Sequence, residues 1–323
     1  MQKQIYIGID ISSATLDICV RQQNSEQSVV IPNQVKDIRK FFKTYANQVL
    51  MIGMENTGRY NWWLYEVLAD TAHKIFVISP LHLKKSMGLA RGKNDKIDAL
   101  RIASFIEKNQ EELKPWKCSS ASIQKLKILL TERSFRIKSK SQLLKQQYDY
   151  SKMKKLGLDR TLQKMNEQLV LQMEKQIAAI ETQIEQTINA DESLKQQAVL
   201  MQTVPGVGKV LCWMMLAKTE GFTLIDDPRK MACYSGVVPF DYQSGTSVRS
   251  KPRVSVYADK SMKSILHLAA MSAIRLKNDL KQYYERKVAE GKNKMSVLNA
   301  VRNKIIHRIF AVIKNQKPYL VLS

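Results

Sequence analysis

Four acidic residues in the first third of the chain have the types and spacing of a metal-dependent active site. Asp10 ends the apolar run "IYIGID", Glu55 ends "LMIGME", and Asp95 and Asp98 stand in "KNDKIDA". If the two apolar runs are neighbouring strands, Asp10 and Glu55 meet at one edge of a sheet. A three-residue spacing places Asp95 and Asp98 on one face of a helix. We therefore expect four carboxylates to converge.

Convergence of like charges costs free energy, because each carboxylate raises the pKa of its neighbours. A divalent cation offsets that cost, and carboxylate oxygens suit Mg²⁺ or Mn²⁺. Two such ions, about 3.5–4 Å apart, can stabilise the attacking and leaving oxygens of a phosphodiester. The acids thus predict a Mg²⁺ (or Mn²⁺) site in which Asp10, Glu55, Asp95 and Asp98 are both metal ligands and catalytic residues.

Each acid also has a structural interpretation when it is taken alone. Asp10 suits a strand-end turn, Glu55 a charge at a sheet edge, and Asp95 and Asp98 the first turn of a helix capped by Asn94 or Asp95. Asp17, on the second apolar run, is predicted to face outwards. An actin-like phosphate loop is disfavoured because serine follows Asp10 where that loop needs glycine.

The charge of the chain points to a polyanionic partner. There are 52 Lys and Arg against 29 Asp and Glu, a formal net charge of +23. The excess is concentrated in residues 125–155, with ten basic residues against two acids, and in residues 249–308, with fifteen against four. Such surfaces release counterions when they meet nucleic acid, which is therefore the expected partner.

Composition excludes several other classes of protein. A hydrophobic content of 44% with 25% charged residues is globular, and no apolar run approaches the roughly 20 residues of a membrane span. The start of the chain lacks the features of a signal peptide, so a cytoplasmic protein without membrane contact is expected. The four cysteines are scattered without a C-x-x-C pair, which disfavours a zinc site or a disulfide framework.

The pattern of elements predicts three segments. Residues 1–118 alternate β-rich runs with amphipathic helices, which predicts an α/β domain with a mixed sheet. Residues 119–198 are almost free of Gly and Pro and carry an apolar seam, so they predict a helical, coiled-coil connector that packs within the chain or with another subunit. Residues 199–323 predict a mainly helical domain. The seam contains Met173, Ile177, Ile180, Ile184 and Thr187.

The third segment opens with "TVPGVGKV", a Pro-Gly-Val-Gly turn between apolar helices. This is typical of a helix-hairpin-helix, in which Gly206 and Gly208 let the backbone approach a phosphate. A plain tight turn between core helices is the alternative. The later stretch "VVPFDYQSGTSVRSKPRVS", residues 237–255, is predicted to be a loop.

These motifs resemble those of the DEDD recombinases of the IS110 insertion-sequence family, relatives of the Piv DNA invertase. "YIGIDISSATLDICV" is similar to the first acidic motif of that family, "GMENTGRYNWWL" to its Glu motif, and "ARGKNDKIDALRIA" to its K-x-D-x-x-D-A motif. In the second half, "TVPGVGKVLCWMMLA" and "MACYSGVVPFDYQSG" resemble the transposase domain.

The resemblance implies an RNase H-like (RuvC-like) domain that binds Mg²⁺ through the four acids, followed by the helical connector and a helical transposase domain. It implies that Ser244, in "YQSG", is a nucleophile that forms a transient 5′-phosphoserine link to DNA. It also implies a homo-oligomer, a dimer or tetramer, that is guided by a structured bridge RNA. Nearby serines, Ser235, Ser247 and Ser250, are alternatives to Ser244.

The expected function is that of a DNA transposase or recombinase. A RuvC-like hydrolytic nuclease, in which water attacks, and a non-catalytic nucleic-acid-binding protein remain the alternatives. The chain departs from the family pattern at "SVYADKSMKSIL", which leaves the contacts of that segment open. The residues expected to contact nucleic acid are Lys93, Arg133, Arg136, Lys138, Lys140, Gly206, Gly208, Lys209, Arg249, Lys251, Arg253, Lys260 and Lys263.

Overall fold

The computed structural model describes residues 4–320 except 24, 57, 81, 84–93, 154, 156–158 and 245–247. For residues 59, 159, 240–244 and 248–253 it describes the backbone alone. The chain forms two compact units, Met1–Cys118 and Ser119–Ser323, so the helical connector and the last segment belong to one unit.

The first unit is built on a five-stranded sheet. Its strands are β1 (Ile5–Ile11), β2 (Thr15–Gln22), β3 (Ser25–Pro32), β4 (Leu50–Glu55) and β5 (Lys74–Ile78), in the spatial order β3-β2-β1-β4-β5. The first three strands are antiparallel, while β4 pairs parallel with β1 and β5 parallel with β4. The mixed sheet expected from the sequence is confirmed, and the fold is RNase H-like.

Helices cover both faces of this sheet, as the alternation of side chains along β1 requires. Ile5, Ile7 and Ile9 are buried together with α1 (Val35–Lys43) and α2 (Trp62–Leu68). The residues between them face α3 (Asp95–Asn109), which buries Ala99, Ile102, Ala103, Phe105 and Ile106. The second face carries the four acids.

The second unit is mainly helical. Its elements are α4 (Ala121–Tyr150), α5 (Asp159–Asn189), α6 (Glu192–Gln202), α7 (Lys209–Thr219), α8 (Pro228–Tyr234), β6 (Phe240–Ser244), β7 (Val248–Arg253), α9 (Lys260–Ala273), α10 (Asp279–Ala289) and α11 (Lys294–Asn315). One apolar core joins α4 and the C-terminal end of α5 to the shorter helices. Helix α5 runs antiparallel to α4 and packs on it within the chain, which is one of the two arrangements that its apolar seam left open.

One segment differs from its predicted structure. Residues 237–255 were expected to be a loop, but β6 and β7 form an antiparallel hairpin in which Ser244 pairs with Val248. The sequence concealed the strands because Pro252 lies within β7 and the pairing is irregular between Phe240 and Tyr242. Among the residues described, no helix has the length and apolar character needed to span a bilayer.

Candidate active site

Two glycines determine which face of the sheet carries the acids. Gly8 on β1 is the register partner of Gly53 on β4, and both lie against α3. A Cβ at Gly8 would lie 2.0 Å from the carbonyl oxygen of Ala99, and one at Gly53 would lie 2.7 Å from Ile106 Cγ2. Asp10 and Glu55 each follow their glycine by two residues, so they lie on the same face.

The first turn of α3 brings the other two acids to this edge. Because Ala99 packs on Gly8, Asp95 and Asp98 lie up to one turn closer to the start of the helix, towards the strand ends. Asn94 caps the helix, with its Oδ1 accepting a hydrogen bond from the Lys96 amide at 3.2 Å. This is one of the two caps that the sequence suggested.

The other three carboxylates act electrostatically on Asp10. Burial is the largest influence on Asp10 and raises its pKa from 3.8 to about 6. The Ile11 amide, which donates to Asp10 Oδ1 at 3.1 Å, lowers this pKa, and the charges of Asp95, Asp98 and Glu55 raise it. The residues Asp10, Glu55, Asp95 and Asp98 are referred to below as the acid edge.

A fifth acid lies on the same face, contrary to the prediction. Asp17 on β2 is the register partner of Asp10, so the two side chains share a face of the sheet. Burial raises the pKa of Asp17, the charge of Asp95 raises it further, and Lys96 lowers it. The expectation that Asp17 faces outwards was therefore wrong. The sequence signal that could have placed Asp17 correctly was the short turn after β1. In this turn Ser12 Oγ accepts a hydrogen bond from the Thr15 amide at 2.9 Å, which fixes the register of β1 and β2.

Two buried asparagines, which the sequence analysis did not single out, hold the backbone next to the acids. Asn33 Nδ2 donates to the carbonyl oxygens of Ser12 at 2.9 Å and Tyr60 at 3.2 Å. Asn61 Nδ2 donates to the carbonyl oxygen of Glu55 at 2.8 Å. Both side chains are buried, so these bonds are shielded from competition by water. They fix the chain just after Asp10 and Glu55.

The donor set suits a hard divalent cation in type and in charge, because it consists of carboxylates that repel one another. Within the part of the chain that the structure describes, however, no group of three or more His, Cys, Asp or Glu is arranged to hold a metal ion. Asp98 Oδ1 accepts instead from Arg101 Nη1 at 2.8 Å.

Ser244 is the last residue of β6, and its backbone pairs with Val248; the structure does not describe its side chain. Of the alternative serines, Ser235 is fully buried and its Oγ donates to the Met231 carbonyl at 2.8 Å, so it is not available as a nucleophile. Ser250 lies on β7, described by its backbone alone, and Ser247 lies outside the described residues.

The base of the β6–β7 hairpin is closed by three side chains, Lys218, Tyr234 and Asp259, here called the hairpin anchor. The Asp259 amide donates to the Tyr234 carbonyl at 2.8 Å, and Tyr234 Oη donates to Asp259 Oδ2 at 2.9 Å. Lys218 Nζ lies 2.8 Å from the same oxygen. Tyr234 precedes the hairpin and Asp259 follows it, so the anchor joins its two ends.

Asp259 also caps α9, with its Oδ1 accepting from the amides of Ser261 at 2.9 Å and Met262 at 3.0 Å. Burial raises the pKa of Asp259, but the hydrogen bonds from Lys218, Ser261 and Met262 outweigh it and hold the pKa well below its usual range. The segment in which the chain departs from the family pattern thus contains a cap and an ion pair.

The predicted nucleic-acid contacts fall into different environments. Arg133 pairs with Glu181 at 2.7 Å, Lys140 with Glu174 at 3.3 Å and Lys209 with Glu185 at 3.5 Å, while Arg136 pairs with Glu132 and donates to Gln176. Several of these contacts join α4 to α5. Lys138 and Lys260 are exposed and Lys263 is half-buried. Lys93 lies outside the described residues, and Arg249, Lys251 and Arg253 are on β7, where the backbone alone is described.

The two glycines of the Pro-Gly-Val-Gly turn have different roles. Gly206 has a φ of +83°, and a Cβ there would lie 2.3 Å from the Ala269 carbonyl oxygen. Glycine is therefore required at this position because the turn packs closely on α9, as expected for a plain tight turn between core helices. Gly208 is the N-cap of α7, and a Cβ there would meet no atom within 4 Å. Gly208 stays a predicted phosphate contact.

Comparison with known proteins identifies the family. A transposase family model, DEDD_Tnp_IS110, matches residues 7–149, and the model described as Transposase IS116/IS110/IS902 family matches residues 198–285. The chain belongs to the IS110 family of transposases. The acid edge of this IS110-family transposase lies in the first matched segment and Ser244 in the second.

Similar proteins extend over nearly the whole transposase. The pilin gene-inverting proteins of Moraxella bovis and Moraxella lacunata are each 27% identical to it over 97% of both chains. The transposase for insertion sequence element IS1111A of Coxiella burnetii is 21% identical, over 97% of this chain and 90% of the relative. Among solved structures, T. thermophilus RuvC in complex with Holliday junction substrate is 14% identical with a TM-score of 0.26, covering 35% of this chain and 99% of RuvC, a similarity too weak to support a functional comparison.

Proposed function

We propose that this IS110-family transposase cuts and rejoins DNA with a divalent metal held at the acid edge and with Ser244 as the nucleophile. The observation that carries the metal site is that Asp10 and Glu55 lie on one face of the sheet, where the charges of Asp95, Asp98 and Glu55 act on a half-buried Asp10. Such a cluster is unfavourable unless a cation joins it. The family membership and the excess of basic residues support DNA as the substrate.

The acid edge would hold Mg²⁺ or Mn²⁺ through Asp10, Glu55, Asp95 and Asp98. When bound, the ion supplies positive charge to the scissile phosphate and its leaving oxygen. The remaining groups of the chain orient these ligands: the Ile11 amide fixes one oxygen of Asp10, Arg101 holds Asp98, and Asn61 fixes the backbone of Glu55. Positioned ligands are what a metal-dependent reaction requires of its protein.

The proposed reaction of Ser244 conserves the energy of the bond that it breaks. Its Oγ forms an ester with the phosphorus, the bond from phosphorus to the 3′ oxygen breaks, and that oxygen takes up a proton to leave a 3′ hydroxyl. The proton lost by Ser244 balances the one gained. A second 3′ hydroxyl can then attack the phosphoserine and release the serine, so strands are exchanged without an external source of energy.

A covalent adduct tests the serine. Element DNA labelled at its 3′ ends, incubated with the protein and Mg²⁺, should give a labelled protein band on a denaturing gel, and Ser244→Ala should abolish it. Ser247→Ala is the matched control, because it removes a hydroxyl only three residues further along the chain, and it should retain the band. Cleaved DNA without an adduct would instead establish a hydrolytic nuclease. Binding without cleavage would establish a non-catalytic protein.

Metal binding is tested without the reaction. A ligand that binds the folded state alone raises its stability, so Mg²⁺ or Mn²⁺ should raise the melting temperature of the wild type. Asp10→Asn should remove most of this rise, and the electron paramagnetic resonance of Mn²⁺ should show fewer bound ions. Asp70→Asn, which alters an exposed acid after α2, is the control. An equal response in both variants would refute the acid edge as the metal site.

The bridge RNA and the oligomer are part of the same proposal. The net charge of +23 exceeds what a single DNA contact needs and leaves basic surface for a structured RNA. Purification of the protein from cells that carry the surrounding DNA, followed by sequencing of the bound nucleic acid, should recover one discrete RNA. Light scattering with and without that RNA measures whether the subunits form a dimer or a tetramer. Recovery of random cellular RNA would refute the guide.

A further inference from the structure

Arg302, in the middle of α11, is a buried cation whose described partners are neutral. It is 6% exposed. Its Nη1 donates to Asn299 Oδ1 at 3.3 Å, its Nη2 lies 2.5 Å from His267 Nδ1, and its Nε is buried without a partner. In the described part of the chain no carboxylate forms an ion pair with Arg302. A guanidinium has five N–H donors, so most of its hydrogen-bonding capacity is unused.

Other arginines of the second unit show how unusual this is. Arg308 lies on the same helix, two turns further along, and pairs with Asp279. Arg133, also largely covered, pairs with Glu181 at 2.7 Å. A charge that is removed from water without a counter-ion is unfavourable, and replacing it with an apolar side chain often stabilises a protein. Arg302 is thus not explained by the stability of the unit that contains it.

The location of Arg302 connects it to the β6–β7 hairpin, which carries Ser244 and is called the serine hairpin below. Asn299, which accepts from Arg302, donates through Nδ2 to the Val237 carbonyl at 2.6 Å, three residues before β6 begins. His267 belongs to α9, the helix that follows β7. The guanidinium therefore lies between the chain that enters the hairpin and the helix that leaves it.

His267 is compatible with an anion at this position. Burial lowers the pKa of His267, and the charge of Arg302 lowers it further, so its ring is neutral next to the guanidinium. An oxyanion that reached this cluster would meet one positive charge and unused N–H donors, with no carboxylate of the cluster to repel it. Arginine is the side chain best suited to bind phosphate oxygens in this way.

We propose that Arg302, supported by Asn299 and His267, binds a phosphodiester oxygen of the bound nucleic acid at the base of the β6–β7 hairpin. This inference rests on the proposed binding of nucleic acid but not on the metal or on Ser244. Arg302 is 6% exposed, so only a small part of its side chain can meet the nucleic acid. A single phosphate contact is the expected contribution.

Stability and binding separate this role from a structural one. We would compare Arg302→Met with Arg308→Met, which removes the same group from the same helix at a site that has a carboxylate partner. Arg302→Met should leave the melting temperature unchanged or raise it, whereas Arg308→Met should lower it. For nucleic-acid binding we expect the opposite ranking of the two variants. Arg302→Met should reduce the slope of log affinity against log salt, and Arg308→Met should leave it unchanged.

The slope distinguishes the source of the phosphate. With a fluorescent DNA duplex, loss of one contact lowers the slope by about 0.9, and with single-stranded RNA by about 0.7. A change with one probe alone identifies the strand that Arg302 meets. Arg302→Gln, which keeps donors but no charge, should behave like the methionine variant, and Arg302→Lys should retain most of the slope. These two variants also decide the question if the methionine variant does not fold.

Three results would overturn the proposal. If Arg302→Met and Arg302→Gln bind both probes with the wild-type slope, Arg302 contacts no phosphate, and the proposed function is unaffected. If the methionine variant loses as much stability as Arg308→Met and its binding is unchanged, the arginine is structural. Absence of binding by the wild-type chain to either probe would refute the proposed function together with this inference.

Discussion

The acid edge and the serine hairpin are positioned by different means. At the acid edge, backbone packs on backbone: Gly8 lies beneath the Ala99 carbonyl oxygen, and the residues two positions further along carry the carboxylates. At the hairpin, polar side chains join its two ends, and the strands themselves are short and irregular. Close packing fixes a position within a few tenths of an ångström, whereas hydrogen bonds at the base of a hairpin leave its far end freer to move.

The difference matches the two proposed tasks. Metal ligands must be held in one geometry, so they belong on rigid strands and helices. A nucleophile that joins one strand and is then attacked by another must accommodate more than one arrangement of DNA. The comparison therefore predicts an abrupt response to mutation at the acid edge and a graded one at the hairpin anchor.

The largest effect is expected from Gly8→Ala. The new methyl group would lie 2.0 Å from the Ala99 carbonyl oxygen and 2.4 Å from the Ala103 amide nitrogen, so α3 must move away from the sheet. We expect a loss of about 3 kcal/mol in the free energy of unfolding, the upper part of the range for overpacking. Denaturant unfolding measures the loss, and the stabilisation by Mn²⁺ should disappear with it.

Gly53→Ala is the matched variant. Its methyl group would meet Ile106 Cγ2 at 2.7 Å and Ile102 Cγ2 at 2.9 Å, which are side-chain methyl groups of α3 and not its backbone. It should cost about 1 kcal/mol and keep most of the Mn²⁺ response. Equal losses in the two variants would show that backbone contact is not what positions the acids.

A smaller and graded effect is expected from Asp259→Asn. Asparagine retains the cap of α9 but loses the charge that holds Lys218, so about 1–2 kcal/mol of stability should be lost at neutral pH. Hydrogen exchange should accelerate in β6 and β7 more than in α9. The adduct of Ser244 should form more slowly, while the binding of DNA changes little.

The dependence on pH follows from the lowered pKa of Asp259. Because the folded pKa lies below that of the unfolded chain, the unfolded state takes up the proton first as the pH falls. The stabilisation is fully present above the unfolded pKa of about 4 and is lost progressively below it. The difference in stability between the wild type and Asp259→Asn should therefore shrink below about pH 4. A constant difference down to pH 2 would contradict the ion pair.

Tyr234→Phe should have a still smaller effect. It removes one hydroxyl that donates to Asp259 at 2.9 Å and keeps the ring and the Lys218–Asp259 ion pair, at a cost of about 0.5–1.5 kcal/mol. In a double-mutant cycle with Asp259→Asn the two losses should not add, because both variants break the same hydrogen bond. Additive losses would mean that the anchor is not one unit.

The sequence predicted the elements that carry the acid edge better than it predicted the hairpin, for physical reasons. Strand periodicity, the order of the acids and the cap at Asn94 are local patterns, and each is present in the structure. The face of the sheet on which Asp17 lies depends on the register of β1 and β2, and the sequence of one strand alone does not determine that register. The partners of Arg133 and Lys140 lie 48 and 34 residues away, so the basic run of α4 did not reveal that its charges are used to bind α5.

The smallest effect is expected for lysines at the surface, which are held neither by the acid edge nor by the hairpin anchor. Lys138 and Lys140 lie on the same helix, but Lys140 pairs with Glu174 at 3.3 Å, and within the described residues Lys138 forms no ion pair. If Lys138 contacts a phosphate, Lys138→Ala should lower the salt slope of duplex binding by about 0.9, with little change in stability.

Lys140→Ala should lower the slope by less, since its ammonium group is already partly neutralised. Glu174→Ala then provides the reciprocal test: by releasing Lys140 it should strengthen binding, and Lys140→Ala in that background should have the larger effect. If Lys138→Ala and Lys140→Ala lower the salt slope equally in the wild-type background, ion pairing does not decide which lysines of α4 bind nucleic acid. A surface ion pair would then contribute too little to keep its lysine from a phosphate.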